Sequence, residues 1–149
     1  MRVFALYLGM DYQVISKDRF TSEVTLTPPF PPKIVRGSAK LLQIIVLSLL
    51  NSPGRNVQYP DMGSGLPALI GQYNLTESSH NEVFAEITLA VDKVKKEIIA
   101  NQKTLTLEDP SALLADLVAL KIELGETIDN VKVRFRMITQ NGKIEEFNL

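Results

Sequence analysis

The chain has 149 residues, with 16 basic and 17 acidic side chains, one histidine and no cysteine. This length fits a single domain, and a hydrophobic content of 45% is enough for a buried core. The formal charge of −1 argues against a nucleic-acid partner, which needs a surplus of lysine and arginine on one face. The lack of cysteine excludes disulfides, thiolate metal ligands and a cysteine nucleophile, and we expect no cofactor.

No segment of the sequence has the pattern of a membrane span or a secretion signal. The most apolar stretch, residues 41–50, contains two polar side chains and is far shorter than the roughly 20 residues that cross a bilayer. The apolar run within residues 1–10 is not followed by a small-residue cleavage site. We therefore expect a soluble intracellular protein without a membrane partner.

Residues 1–36 are predicted to form an extended, proline-rich arm. Strand-like alternation over residues 23–27 precedes the run Pro-Pro-Phe-Pro-Pro at residues 28–32. Because proline fixes φ and lacks an N–H donor, this run fits neither a helix nor a central strand. The apolar residues Phe30, Ile34 and Val35 indicate that the arm lies on a surface, in this chain or in a partner.

Residues 37–103 are predicted to form a helical core. Residues 39–50 are apolar almost all round, which indicates a central helix buried on several sides. We expect Ser38 to be its N-cap, and Pro53 and Gly54 to end it.

A second, longer helix is predicted over residues 79–101. Its apolar residues recur at steps of three and four and form one stripe: Val83, Phe84, Ile87, Val91, Val94 and Ile98. The lysines between them are predicted to form a solvated face, on which Asp92 and Lys96 make an ion pair.

Residues 112–149 are predicted to form a small antiparallel β-sheet that ends in a hairpin. Residues 117–124 fit one strand, and residues 131–137 alternate apolar and basic side chains with a period of two. Together with the helices, this sheet predicts a single α+β domain over residues 1–149.

The pair Asn141-Gly142 predicts a two-residue type I′ turn before the last strand, residues 144–149. A turn of that length would place Met137 opposite Glu146, so that a cationic strand meets an acidic one. A terminal strand at the edge of a sheet is either protected or accepts the strand of another chain.

The candidate catalytic residues of the sequence do not favour an enzymatic function. His80, the one histidine, lies in a polar segment and is expected to be a surface residue at a helix start. Glycoside hydrolysis needs two carboxylates, and the available pairs are Glu82 with Glu86 and Glu145 with Glu146. Neither pair has an obvious surrounding pocket with the aromatic or polar sugar-binding residues that such an enzyme would use, and tryptophan is absent.

Residues 52–66 form the most distinctive segment of the chain. A Pro-Gly break is followed by an arginine, a Pro-Asp turn and a Gly-Ser-Gly entry to a short helix near residues 66–70. The spacing of a phosphate-binding loop is absent. Arg55 and Asp61 either tie the two limbs of this loop together or face solvent.

At these residues the chain resembles the small baseplate-wedge, or sheath-initiator, proteins of contractile phage tails. That family is often called lysozyme-like and has a relative in the type VI secretion baseplate. Its signature is Leu-Leu-Thr-x-x-Gly at a helix end, then Pro-x-aromatic-Gly-Ser-x-Leu. Here residues 49–54 are LLNSPG and residues 60–66 are PDMGSGL.

The resemblance covers residues 34–149, including the order of elements, with three departures. Met62 stands at the aromatic position, and Arg55-Asn56 replaces the usual Glu-Arg or Glu-Leu. The family's Glu-Pro-Arg triplet after the second helix is absent from residues 98–103.

The resemblance implies a non-enzymatic virion protein of the tail baseplate, assembled in the host cytoplasm in six copies. Its partners would be baseplate wedge proteins, the tail sheath protein and the tail tube or hub, and its C-terminal sheet would receive the arms of the first sheath ring. The implied motif loop comprises Pro53, Gly54, Arg55, Pro60, Asp61, Gly63, Ser64, Gly65 and Leu66. The implied sheath-docking strands carry Val131, Val133, Arg134, Phe135, Arg136, Ile144, Glu145, Phe147 and Leu149. The alternatives are the equivalent subunit of a secretion system or a phage-derived injection particle, and a small murein hydrolase.

Overall fold

The computed structural model describes residues 12–52, 54, 63, 64, 66, 80–103, 110–124 and 131–149. Over these residues the chain has the predicted α+β fold, with two helices and a C-terminal antiparallel sheet of three strands. In chain order the elements are β1 (Ser16–Lys17), β2 (Val24–Thr25), α1 (Ser38–Leu50), α2 (His80–Gln102), a 3-10 turn (Pro110–Ala112), β3 (Leu114–Leu124), β4 (Val131–Thr139) and β5 (Ile144–Asn148). Neither described helix has the length and apolar character that a membrane crossing requires.

Helix α1 is buried on several sides, as its composition predicts. The buried residues are Leu41, Leu42, Gln43, Ile44, Ile45, Val46, Ser48 and Leu49. The prediction of Ser38 as the N-cap is wrong, because Gly37 takes that position with φ 61 and no side chain bonds there. Ser38 is the first helical residue, and its hydroxyl accepts a hydrogen bond from Lys143 Nζ at 2.8 Å. Ser38 therefore lies one residue too late in the chain to be the cap, and its hydroxyl contacts the distant C-terminal hairpin.

Helix α2 packs its apolar stripe against β3. The predicted stripe is confirmed, with Phe84 half-buried and the other five residues buried. The predicted pair is also present, with Lys96 Nζ 2.7 Å from Asp92 Oδ2. Lys95 departs from the solvated face, since its Nζ lies 3.3 Å from Asp116 Oδ1 on the sheet. This ion pair joins the polar side of α2 to β3.

The C-terminal sheet has the strand order β3-β4-β5, with every pair antiparallel. The predicted alternation of β4 is confirmed, because Val133, Phe135 and Met137 are buried and the basic residues between them lie on the other face. Strand β3 begins at Leu114, earlier than predicted. Its first N–H donates to Gln102 Oε1 at 2.8 Å, so the end of α2 anchors the start of the strand.

The predicted two-residue turn between β4 and β5 is wrong. Gly142 has φ 88, but Asn141 lacks the positive φ that a type I′ turn requires. The N–H of Gly142 donates to Thr139 O at 2.9 Å, and the N–H of Thr139 donates to Lys143 O at 2.9 Å. The loop therefore has three residues and ends on a left-handed glycine, which is the next most common hairpin form.

The longer loop moves the pairing register by one residue. Arg136 lies opposite Glu146, and Phe135 lies opposite Phe147. The two phenylalanine rings are fully buried and stacked, with 5.2 Å between their centroids. Because side chains alternate between the faces of a strand, this one-residue difference places Phe147 in the core and Glu146 on the outer face beside the arginines.

Of the predicted arm, residues 1–11 lie outside the described part of the chain. Residues 12–36 pack against the helices and the sheet, and the alternating segment forms only the short strand β2, which pairs with β1. Ile15 and Val24 are buried in the core. The buried Gln43 side chain of α1 joins the arm to the helix: its Oε1 accepts the N–H of Val14, and its Nε2 donates to Tyr12 O, both at 2.9 Å. A single amide thus satisfies two main-chain groups of the arm.

The proline-rich run of this arm is largely exposed. Of the three apolar residues that we expected to lie on a surface, Val35 is buried, whereas Phe30 and Ile34 are exposed. The arm therefore contacts its own chain through residues on either side of the prolines.

Candidate interaction site

Two parts of the predicted site are described: the ends of the motif loop, and the docking strands. The loop returns to the end of α1 through Ser64. The N–H of Ser64 donates to Asn51 O at 3.1 Å, and its Oγ donates to Leu49 O at 2.5 Å. The same Oγ accepts the N–H of Leu66 at 3.0 Å. Ser64 therefore satisfies carbonyl groups that the helix end leaves without an intrahelical partner.

The glycine before Ser64 lies against the end of α1 with no room for a side chain. A Cβ atom on Gly63, which has φ 115, would lie 2.4 Å from Asn51 O. On the other side, Lys93 Nζ of α2 donates to Gly63 O at 3.0 Å. Among the described loop residues, the Gly-Ser pair of the motif thus contacts both α1 and α2.

The remaining loop residues divide between described and undescribed positions. Gly54 has φ 88, in agreement with its expected role in the break after α1, and Leu66 is buried. The other predicted loop residues lie outside the described part of the chain: Pro53, Arg55, Pro60, Asp61 and Gly65.

Strand β5 is one edge of the sheet. Leu149 exchanges both main-chain hydrogen bonds with Val133 of β4, at 2.8 and 3.0 Å. In an antiparallel pair such residues alternate with residues whose N–H and C=O point away from the partner strand. The main-chain groups of Ile144, Glu146 and Asn148 therefore point to the outer side of β5.

The arm covers one end of this edge. The N–H of Asn148 donates to Ser22 O at 2.8 Å, and the Asn148 side chain donates to Thr21 O at 2.8 Å. Farther along, Lys17 Nζ lies 2.9 Å from Glu145 Oε1. Among the described residues, no strand pairs with the outer side of β5 at Ile144 or Glu146.

The predicted docking residues fall into three groups. Val133, Phe135 and Phe147 are fully buried and serve the core. Arg134, Arg136, Glu145 and Leu149 are half-buried, and Ile144 is 61% exposed. Val131 begins β4, and its side chain lies outside the description. Because β4 is paired on both sides, of the predicted docking strands only β5 offers main-chain groups at an edge.

The outer face of the sheet carries paired charges next to this edge. Glu146 Oε1 lies 2.7 Å from Arg136 Nη2, and Glu146 Oε2 lies 3.4 Å from Arg134 Nε. The hydrogen bond from Arg136 holds the pKa of the Glu146 carboxyl below its ordinary value of 4.5. The predicted meeting of a cationic and an acidic strand is confirmed, although through a different register.

Sequence reasoning missed the residues by which the arm is attached to the core. Gln43 carried a signal, since a lone amide in an apolar helix must find buried partners. Lys17 and Asn148 carried no such signal, because nothing in their local sequence indicates their partners, which are far away in the chain. Among the described residues, no cluster of three or more histidine or acidic side chains could hold a metal ion.

Comparisons with known proteins identify no relative of this chain. No protein-family model, no curated protein and no solved structure matches this chain.

Proposed function

We propose that this protein is a sheath initiator of a contractile-tail baseplate, bound to wedge proteins through its helical core and motif loop. In this proposal β5 receives an extended arm of the first sheath ring. The observation that supports this proposal best is the outer edge of β5. There the main-chain groups of Ile144 and Glu146 point outward, and no described strand pairs with them. An added strand would gain its affinity from these main-chain bonds.

The conformation of the motif loop supports the same proposal. The motif residues Leu49, Gly63, Ser64 and Leu66 are separated along the chain, yet Ser64 hydrogen-bonds to both leucines and Gly63 packs on the end of α1. The sequence signature on which the resemblance depends thus corresponds to one set of contacts. The same geometry suits the equivalent subunit of a secretion system or an injection particle.

The carboxylates of β5 favour a structural role over murein hydrolysis. Glu145 and Glu146 are neighbours in a strand and therefore point to opposite faces. Glu145 pairs with Lys17, and the pKa of Glu146 is lowered by Arg136. A general acid needs a raised pKa, so the shift at Glu146 is in the opposite direction.

The proposal is tested by removing one outward N–H group from β5. Glu146→Pro deletes a donor on the outer side and leaves the bonds to β4 in place, since edge strands accept proline there. We expect baseplates assembled with this variant to fail to start sheath, as seen by electron microscopy. Glu146→Gln, which keeps the N–H, is the matched control and should start sheath normally.

Ile144→Pro, at the other outward position that the arm leaves unpaired, gives a second test if Glu146→Pro does not fold. Circular dichroism and thermal unfolding establish which variants are folded. Normal sheath assembly on baseplates carrying either folded proline variant would refute docking at this edge.

A further inference from the structure

A cavity of about 220 Å³ lies beside the uncovered part of β5. The arm touches β5 at Asn148 and again through the Lys17–Glu145 ion pair. The cavity lies where the arm, the start of α1 and the beginning of β5 meet, and its lining includes Lys143 and Glu145. It is therefore next to the stretch of β5 whose main-chain groups point outward.

The cavity has an apolar floor and a charged rim. Ile15, Val35 and Leu42 contribute buried apolar surface to the lining. At the rim, Lys17 Nζ lies 2.9 Å and Lys143 Nζ lies 3.9 Å from the carboxylate of Glu145. The rim thus carries two ammonium groups and one carboxylate. Such a site suits an apolar side chain with an acidic neighbour.

We propose that this cavity is the specificity pocket for the strand that docks on β5. It would take one aliphatic or aromatic side chain of that strand, with an acidic residue beside it at the lysine rim. Successive side chains of an added strand point to opposite faces, so alternate ones would point to the face of β5 that carries Glu145. Main-chain bonds then supply affinity while the pocket selects the sequence.

The size of the cavity fits this occupant. An apolar cavity of about 150 Å³ holds a benzene molecule, so a cavity of about 220 Å³ has room for one aromatic ring or one large aliphatic side chain. The inference depends on the proposed function for the source of the strand, which is the terminal arm of the sheath protein.

The test uses synthetic peptides that cover both terminal arms of the sheath protein encoded with this chain. Ala39 lines the cavity and is exposed at the first turn of α1, so Ala39→Phe fills the cavity without disturbing the core. Ala100→Phe makes the same change at an exposed position of α2 that does not line the cavity and is the matched control. Binding is measured by fluorescence anisotropy on the full chain.

We expect one peptide to bind, and Ala39→Phe to weaken it at least tenfold while Ala100→Phe changes its Kd less than twofold. Replacing the apolar anchor of that peptide by alanine should weaken binding to the parent protein by a similar factor. The same replacement should have almost no further effect on Ala39→Phe, because both changes remove one contact. Changing the acidic neighbour in the peptide to its amide should also weaken binding.

The outcomes separate this inference from the proposed function. If Glu146→Pro abolishes peptide binding but Ala39→Phe binds as the parent does, docking on β5 stands and the specificity pocket is refuted. Additive effects of Ala39→Phe and the peptide substitution would also refute the pocket. If no arm peptide binds the parent protein, the proposed function fails and the pocket fails with it.

Discussion

Replacing Gly63 by alanine tests whether the motif loop is held to α1 by close packing. The new Cβ would lie 2.4 Å from Asn51 O and 2.9 Å from Asn51 C, distances at which the loop must move. A non-glycine residue at φ 115 also adds backbone strain of about 1–3 kcal/mol. Movement of the loop would break the hydrogen bond from Ser64 N to Asn51 O, worth about 0.5–1.5 kcal/mol.

These contributions add to a loss of about 1.5–4.5 kcal/mol in the free energy of unfolding. The matched control is Gly54→Ala. Gly54 also has positive φ, but among the described residues no atom beyond its chain neighbours lies within 4 Å of the position that its new Cβ would occupy, so we expect only backbone strain of about 1–2 kcal/mol. Urea-induced unfolding followed by circular dichroism measures both variants against the parent, and equal m-values would show that the unfolding transitions are comparable.

The difference between the two variants is the informative quantity. If Gly63→Ala and Gly54→Ala destabilise the protein equally, the contact with Asn51 contributes nothing and the packing explanation of the Gly-Ser motif is refuted.

Three further predictions concern the sheet and the arm. Phe147→Ala removes a fully buried, stacked ring and should lower the free energy of unfolding by about 3–5 kcal/mol, whereas Phe20→Ala, at a ring that is 95% exposed, should have little effect in the same urea titration. Gln43→Leu leaves two main-chain groups of the arm without their partner, so limited proteolysis should cut the arm faster than in the parent. Because Arg136 lowers the pKa of Glu146, the stabilisation is present above the ordinary value of 4.5 and is lost as the pH falls through the lowered value. The Tm of Glu146→Gln should therefore decrease less than that of the parent on acidification from about pH 6 to about pH 3.

Each of these predictions has a clear contrary result. Equal stability of Phe147→Ala and Phe20→Ala would mean that the observed register does not form in solution. Unchanged proteolysis of Gln43→Leu would show that the arm is held by other contacts. If the Tm of Glu146→Gln and that of the parent fall equally on acidification, the ion pair between Glu146 and Arg136 adds nothing to stability.

The regular elements of this protein could be predicted because their signals are local. The apolar circumference of α1, the stripe of α2 and the alternation of β4 are periodicities within one segment. The positive φ of Gly54 and Gly142 was likewise expected from the turns in which they lie. These signals were sufficient to predict the α+β fold class and the order of the main elements.

The register of the hairpin needed the tertiary structure. Asn141-Gly142 is compatible with loops of two or three residues, and the three-residue loop places both Phe147 and Phe135 in the core. A core that buries two stacked rings outweighs a local preference for one turn type.

In the candidate site, too, some features follow from the sequence and others only from the tertiary structure. The sequence alone determined that residues 63 and 64 belong to a distinctive loop, that β4 has a buried and a polar face, and that a last strand follows. Only the tertiary structure decided that Ser64 bonds to the end of α1, that Gln43 holds the arm, and that the arm, α1 and β5 line an open cavity. The physical reason is that these contacts join segments far apart in the chain, whose meeting depends on how the whole core packs rather than on any local pattern.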